Sequence, residues 1–323
     1  QTSLFWTHRV VGSQGHMFLV TDRNFNPVLV KNFNESEVKS PATLQKVVPC
    51  SNGDVLILGN YLVSNNQVRG PFVIRLTEVG NVVWIKRYNT TIGLIGNSND
   101  IDFHSLNNGL YVLNNPNPEV LFTIDEQGAV VNAFDTNNIP RLDSLVVHNQ
   151  NIYGCTRDGS NPNTNLFGIA KFDFSLNLLE FNEYHFNTDL GANPTSREAF
   201  LIEDSLVIST TITSNGNENI YLAKVDLSEP LPTQVNAKFF TIDHILFQFE
   251  QSSNNFYIKY NEQGGSSREV ILRLDQDLNF SSAMKIPSEN VLGFYTVSDA
   301  LYFTLSGYRM VKTSQSFYTN CFT

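Results

Sequence analysis

Ser51-Asn52-Gly53-Asp54 runs into VLILGNY, ending at Tyr61. A loop follows, then PFVIRLTEVGN from Pro71 to Asn81 and VVWIKRY ending at Tyr88. The apolar runs are short, rich in β-branched and aromatic residues, and split by Asn, Gly and Asp, which is strand-and-turn punctuation. The stretch reads as one hairpin followed by a second, with the second turning at Glu78-Val79-Gly80-Asn81. No part of the chain carries apolar residues at i, i+3, i+4 and i+7 over two or more turns, so helix is not expected.

The same pattern recurs along the chain. Aligning copies on the residue that ends the third strand gives seven anchors: Thr21, Leu76, Ile124, Phe172, Val225, Leu274 and Thr313, spaced by 55, 48, 48, 53, 49 and 39 residues. Beside them stand Asp22, Thr77, Asp125, Asp173, Asp226, Asp275 and Ser314, and four copies place Asn five residues on, at Asn26, Asn81, Asn177 and Asn279. Asp and Asn bond their own backbone and tolerate turn geometry, so they are expected to close each hairpin. Five copies put a basic residue just before the anchor: Arg75, Lys171, Lys224, Arg273 and Lys312. In Val73-Ile74-Arg75-Leu76 it alternates with apolar neighbours, so it is expected to face solvent on an outer strand.

Each copy holds about four strands. In the fourth they fall near Ala199–Ile202, Ser205–Thr213, Ile220–Val225 and Val235–Phe240; in the fifth, near Ile242–Glu250, Asn255–Tyr260, Glu269–Leu274 and Phe280–Ile286. Four antiparallel strands at this period predict the blade of a β-propeller. One blade cannot bury both faces, and stacking blades in a ring does so. The expectation is therefore an all-β fold: a single β-propeller domain over residues 1–323, with seven blades preferred and six as the alternative. Only 20 residues precede Thr21 and 10 follow Thr313, so the strand around Ser3–Val11 is expected to complete the last blade and join the two ends.

Composition limits the partners. The 323 residues are 41% hydrophobic and 12% aromatic, enough for a large core, and 39 Asn with 19 Gly suit many turns. Net charge is −10, so no basic face is available for nucleic acid and none is expected as a partner. No apolar run approaches the ~20 residues of a membrane-spanning helix, so no transmembrane segment is expected. The chain starts at Gln1 and goes straight into Leu4-Phe5-Trp6, the look of a mature exported protein. Cys50, Cys155 and Cys321 are far apart and form no CxxC pair, so at most one disulfide can form within the chain.

The repeat is similar to those of secreted, cell-envelope β-propeller proteins of the Bacteroidota, the lineage associated with type 9 secretion. SNGDVLILGNY and PFVIRLTEVGNVVWIKRY carry the resemblance, with LAKVDLSE around Lys224, ILRLDQDLN around Arg273 and YRMVKTSQ around Lys312. The copy ending Val130-Val131-Asn132-Ala133-Phe134 departs from it, lacking the Trp and the basic residue. The resemblance implies an exported protein of the periplasm or cell surface, associated with the outer membrane. Asp143-Ser144-Leu145 and Asp204-Ser205-Leu206 also match the three-residue O-glycosylation signal of that phylum, making Ser144 and Ser205 candidate modification sites.

No motif for catalysis emerges. There is no G-x-S-x-G elbow, HExxH, P-loop, dinucleotide fingerprint or calcium loop, and no catalytic, cofactor or metal site is expected. Asp100, Asp102 and His104 alternate along one strand and could chelate a cation, although a polar strand start explains them as well. Asp100, Asp102, Asp143, Glu198 and Glu203 near first strands are the carboxylates a glycosidase would draw on, but nothing in the sequence selects a pair. The expected function is a non-catalytic interaction module for a protein partner in an outer-membrane or surface complex. The alternative is a carbohydrate-active or glycan-binding propeller.

Overall fold

The computed structural model describes residues 4–9, 16–22, 26–33, 42–62, 69–88, 102–106, 108–116, 119–135, 139–157, 166–185, 193–214, 217–227, 230–232, 236–241, 248–252, 255–262, 268–286, 291–297, 300–305 and 309–314. Among them every regular element is a strand. The first sheet holds β1 (Leu4–Arg9), β2 (His16–Thr21) and β3 (Pro27–Phe33). The second holds β4 (Ala42–Pro49), β5 (Val55–Leu62), β6 (Arg69–Leu76) and β7 (Val82–Arg87). The third holds β8 (Asp102–Leu106), β9 (Leu110–Pro116), β10 (Glu119–Asp125) and β11 (Val130–Phe134). The fourth holds β12 (Arg141–His148), β13 (Asn151–Arg157), β14 (Leu166–Phe172) and β15 (Leu178–His185). The fifth holds β16 (Asn193–Ile202), β17 (Ser205–Ser214), β18 (Asn217–Asp226) and β19 (Asn236–Thr241). The sixth holds β20 (Gln248–Ser252), β21 (Asn255–Glu262), β22 (Arg268–Leu274) and β23 (Phe280–Ile286). The seventh holds β24 (Val291–Val297), β25 (Ala300–Leu305) and β26 (Arg309–Ser314).

Each sheet is an antiparallel meander in chain order, and every anchor read from the repeat falls at the end of a strand that feeds the outer hairpin. Thr21 ends β2, not a third strand, so β1 to β3 correspond to the second, third and fourth strands of the other sheets. The N-terminal strand corrects one expectation. β1 pairs with β2 over Leu4↔Thr21 to Arg9↔His16 and belongs to the first sheet, not the last. β2 has the turn and register that make β1 its neighbour, and a local hairpin closes at little entropic cost.

The chain divides into two compact units, Gln1–Gly159 with Gly168–Phe181, and Ser160–Phe167 with Asn182–Thr323. In the first, successive sheets pack face to face. Phe18, Val20 and Phe33 of the first sheet meet Val55, Ile57, Phe72, Ile74 and Leu76 of the second. The opposite face of the second sheet, through Leu56, Leu58 and Val73, packs on Phe103, Tyr111, Leu113, Phe122 and Ile124. Leu106, Val112 and Leu121 then meet Leu142, Leu145, Ile152 and Phe172. In the second unit Ile202, Val207, Ile220 and Leu222 pack on Phe256, Ile258, Val270 and Leu274, and Tyr257 and Ile271 pack on Leu301 and Phe303. Strand alternation sends odd and even residues to different neighbours, so both faces of an interior sheet are apolar.

The outer hairpins share one turn. In four sheets the residue after the anchor receives two backbone bonds: Gly80 N–H, Gly128 N–H, Leu176 N–H and Leu278 N–H donate to Thr77, Asp125, Asp173 and Asp275 oxygens. The expected role of Asp and Asn is visible atom by atom. Asp275 Oδ1 accepts from the N–H groups of Asp277 and Asn279, and Asn279 Nδ2 donates to Asp275 Oδ2 at 3.0 Å. Asp173 with Asn177 and Asp22 with Asn26 repeat it.

The fourth residue after the anchor adopts positive φ in every one of these turns: Gly80 at 82°, Gly128 at 71°, Leu176 at 62° and Leu278 at 60°. A leucine there carries strain of about 1 kcal/mol or more. Burial offsets it, since Leu176 and Leu278 are 4% and 1% exposed and join the cores shared with the preceding sheet. The two glycines meet bulk instead. A Cβ on Gly80 would lie 2.6 Å from Leu29 of β3, and one on Gly128 would lie 2.8 Å from the Trp84 ring of β7. Each turn therefore rests on the outer strand of the preceding sheet, and the residue at positive φ complements what that strand offers.

Candidate functional site

The polar residues singled out in sequence gather where the first strands of the second, third and fourth sheets approach one another. β4 and β12 each carry a register slip, at Gln45 and Asp143. Such bulges re-aim side chains. Asp102 of β8 sits between these strands, 7% exposed. Lys46 Nζ of β4 donates to its Oδ1, and Leu145 N–H of β12 donates to its Oδ2 at 2.6 Å. His104 Nε2 lies 3.8 Å from the same carboxylate. Beside them Asn114 Nδ2 donates to the Leu142 oxygen at 3.3 Å, and Arg141 Nε lies 3.3 Å from Asp143 Oδ1.

Burial alone would raise Asp102, but the Lys46 ammonium and the neighbouring His104 hold its carboxyl well below the usual carboxylate range. A group kept ionised in this way accepts hydrogen bonds and ties strands together. It does not supply the raised pKa that a glycosidic general acid needs. Of the other carboxylates, Asp143 is buried in β12, Glu198 is exposed on β16, and Glu203 accepts from Gln276 Nε2 at 2.9 Å in the turn after β16. Asp100 lies outside the described residues. Among those described, no three His, Cys, Asp or Glu side chains are placed to hold a metal ion.

Ser144 is 8% exposed within β12, so a glycan there requires the strand to open. Ser205 is half-buried at the start of β17. Cys50 and Cys155 are buried in the second and fourth sheets, and Cys321 lies outside the described residues.

The basic residue before the anchor does not face solvent, as alternation had suggested. Arg75 Nε donates to Asp54 Oδ2 at 2.8 Å and its Nη1 donates to the Glu126 main-chain oxygen, in the outer turn of the next sheet, at 2.7 Å. Lys224 Nζ donates at 2.8 Å to the oxygen of Gln276, the equivalent turn residue two sheets later in the chain's second unit. Lys171 is 6% exposed, and Arg273 Nε donates to Asn255 Oδ1 at 2.8 Å. Trp84 Nε1 and Tyr88 Oη add bonds to the oxygens of Glu126 and Gly128, at 3.2 and 3.0 Å. Alternation was read correctly, but the face opposite the apolar one belongs to the next sheet.

Side chains that the sequence did not mark as functional stand at the outer hairpins. In four sheets the ladder slips just before the anchor, leaving Val28, Val83, Val131 and Ser281 as the extra, unpaired residues of the fourth strand. The three valines are 60%, 50% and 49% exposed. The signal was present: an apolar doublet follows the turn in Val82-Val83, Val130-Val131 and Leu178-Leu179, and two consecutive strand residues cannot share one face.

No protein-family model matches the chain, and no curated protein is similar to it by sequence. Solved structures are similar in fold. A catalytically inactive variant of virginiamycin B lyase from Staphylococcus aureus, bound to quinupristin, superposes with a TM-score of 0.58 at 13% identity, over 98% of this chain and 100% of that one. A protein of unknown function from Desulfotomaculum acetoxidans gives 0.53 at 11% identity, over 95% and 94%. An acylaminoacyl peptidase from Pyrococcus horikoshii gives 0.50 at 10% identity, over 87% of this chain and 47% of that one. No helix among the described residues is long and apolar enough to cross a membrane. The sheets and these neighbours together make the fold all-β and propeller-like.

Proposed function

We propose that this chain is a non-catalytic, propeller-like interaction module of the bacterial cell envelope that docks a protein partner in an outer-membrane or surface complex. One observation carries the reading: the polar side chains near the first strands are spent on one another, whereas exposed apolar side chains recur at one structural position along the outer hairpins. Apolar groups held at fixed register on packed sheets form a contact surface. The envelope setting rests on the repeat resemblance of PFVIRLTEVGNVVWIKRY and its copies.

The test is co-purification of the untagged protein from its native envelope in mild detergent, followed by cross-linking of the isolated complex. A stoichiometric protein partner is the expected result. A monodisperse, partner-free protein that hydrolyses or binds oligosaccharides in a hydrolase screen and glycan array would replace this reading with the carbohydrate one.

A further inference from the structure

Eight of the nine large apolar side chains exposed among the described residues lie in the outer hairpins of the first unit. Val79 at the tip of one turn is 65% exposed, and Leu179 on β15 is 54% exposed. The hairpins adjoin: the turn holding Val79 and Gly80 rests on Leu29 of β3, and the turn holding Glu126 and Gly128 rests on Trp84 of β7. Bulged Val28, Val83 and Val131 thus recur on successive sheets at one level of the outer edge.

The charge around them has one sign. Residues 22–30, 77–83, 125–131 and 173–179 contain five carboxylates (Asp22, Glu78, Asp125, Glu126 and Asp173) and one basic residue, Arg23. An anionic lipid surface or a second copy of this chain, whose net charge is −10, meets like charge here. Strand addition along the edge is opposed by the bulges, which kink each outer strand where pairing would begin. What remains is a partner that contributes side chains, apolar to cover the valines and cationic to meet the carboxylates.

We propose that the outer hairpins of the first unit dock a cationic polypeptide segment whose lysines or arginines are interleaved with apolar side chains. The inference rests on the interaction-module reading and adds the place and the chemistry of the partner.

Fluorescence anisotropy with the full chain tests it, using labelled peptides of about fourteen residues alternating Val and Lys, Ser and Lys, or Val and Glu. The Val–Lys peptide is expected to bind about tenfold tighter than the Ser–Lys peptide, and the Val–Glu peptide not at all. Val83→Ser combined with Val131→Ser should weaken Val–Lys binding by about tenfold. Thermal unfolding is expected to shift little, because both side chains are exposed. Glu78→Lys should weaken binding in the same direction. Equal binding of the Ser–Lys peptide, no binding of either cationic peptide, or no effect of the valine substitutions would overturn the proposal. So would valine-dependent binding to phosphatidylglycerol vesicles or valine-dependent self-association by light scattering. A native partner that cross-links only outside these hairpins would overturn this inference and leave the interaction module standing.

Discussion

Arg75 of β6 donates from Nη1 to the main-chain oxygen of Glu126, 2.7 Å away in the outer turn of the following sheet, while its Nε holds Asp54 in its own sheet. The guanidinium is 11% exposed and bridges two sheets through three acceptors, counting the Glu126 carboxylate at 3.8 Å. Its directional donors suit this bridge in a way a lysine ammonium does not.

Replacing Arg75 with Met should therefore destabilise the first unit by about 2–4 kcal/mol, since Asp54 and the Glu126 oxygen lose their donor while largely buried. Arg75→Lys should recover only part of the loss. Urea unfolding followed by Trp fluorescence reads both, and a loss below about 0.5 kcal/mol for Arg75→Met contradicts the bridge.

Gly128 and Leu278 occupy equivalent turn positions and should not exchange freely. Gly128→Leu drives a side chain into Trp84 and Lys86, whose atoms lie 2.8 and 2.9 Å from a Cβ there. Leu278→Gly empties a core position that is 1% exposed. Both variants are expected to lose about 2–4 kcal/mol, the first from overpacking and the second from a cavity. Differential scanning calorimetry of the pair is the measurement, and a stabilised Gly128→Leu protein would contradict the packing described.

Acid should weaken the tie through Asp102. Its folded-state carboxyl titrates below the unfolded value of about 3.9, so its contribution is complete above that pH and is lost as pH falls toward the folded value. Stability measured from about pH 5 down to pH 2 should fall less steeply in Asp102→Asn than in the parent. An unchanged slope would mean that Asp102 is not the linked group.

Burial pushes the Cys50 thiol up, against the opposing hydrogen bond with Tyr111. Cys50 and Cys155 are 7% and 0% exposed. Peptide mapping after iodoacetamide at pH 8 should show both unlabelled in the folded protein and labelled in urea. Rapid native labelling of Cys50 would place it at the surface.

Much of the fold was written in the repeat. The predicted strand Ser205–Thr213 is β17, and Phe280–Ile286 coincides with β23, because turn chemistry and period-2 alternation are local properties. The destination of each face was not local. Lys224 alternates with apolar residues whether the opposite face meets water or another sheet, and only the stacking shows that it reaches Gln276. The N-terminal strand was assigned by a count of missing strands, whereas its pairing with β2 follows from register. At the candidate site, Asp102 and His104 were visible as an alternating pair, but Lys46 and Leu145 come from strands 56 and 43 residues away in sequence. The outer valines were visible as doublets and carried no motif, since exposure at a bulge depends on a ladder slip that composition does not encode.

The glycine or leucine at positive φ in each turn is fitted to a strand that belongs to the sheet before it. A segment cut at sheet boundaries and inserted elsewhere along the chain would bring a turn without its matching seat. The heritable module is thus offset from the visible one: it begins in one sheet's last strand and ends in the next sheet's turn. Duplication and recombination within such a gene are constrained to break between those joints, and grafts for engineering should be cut at the same places.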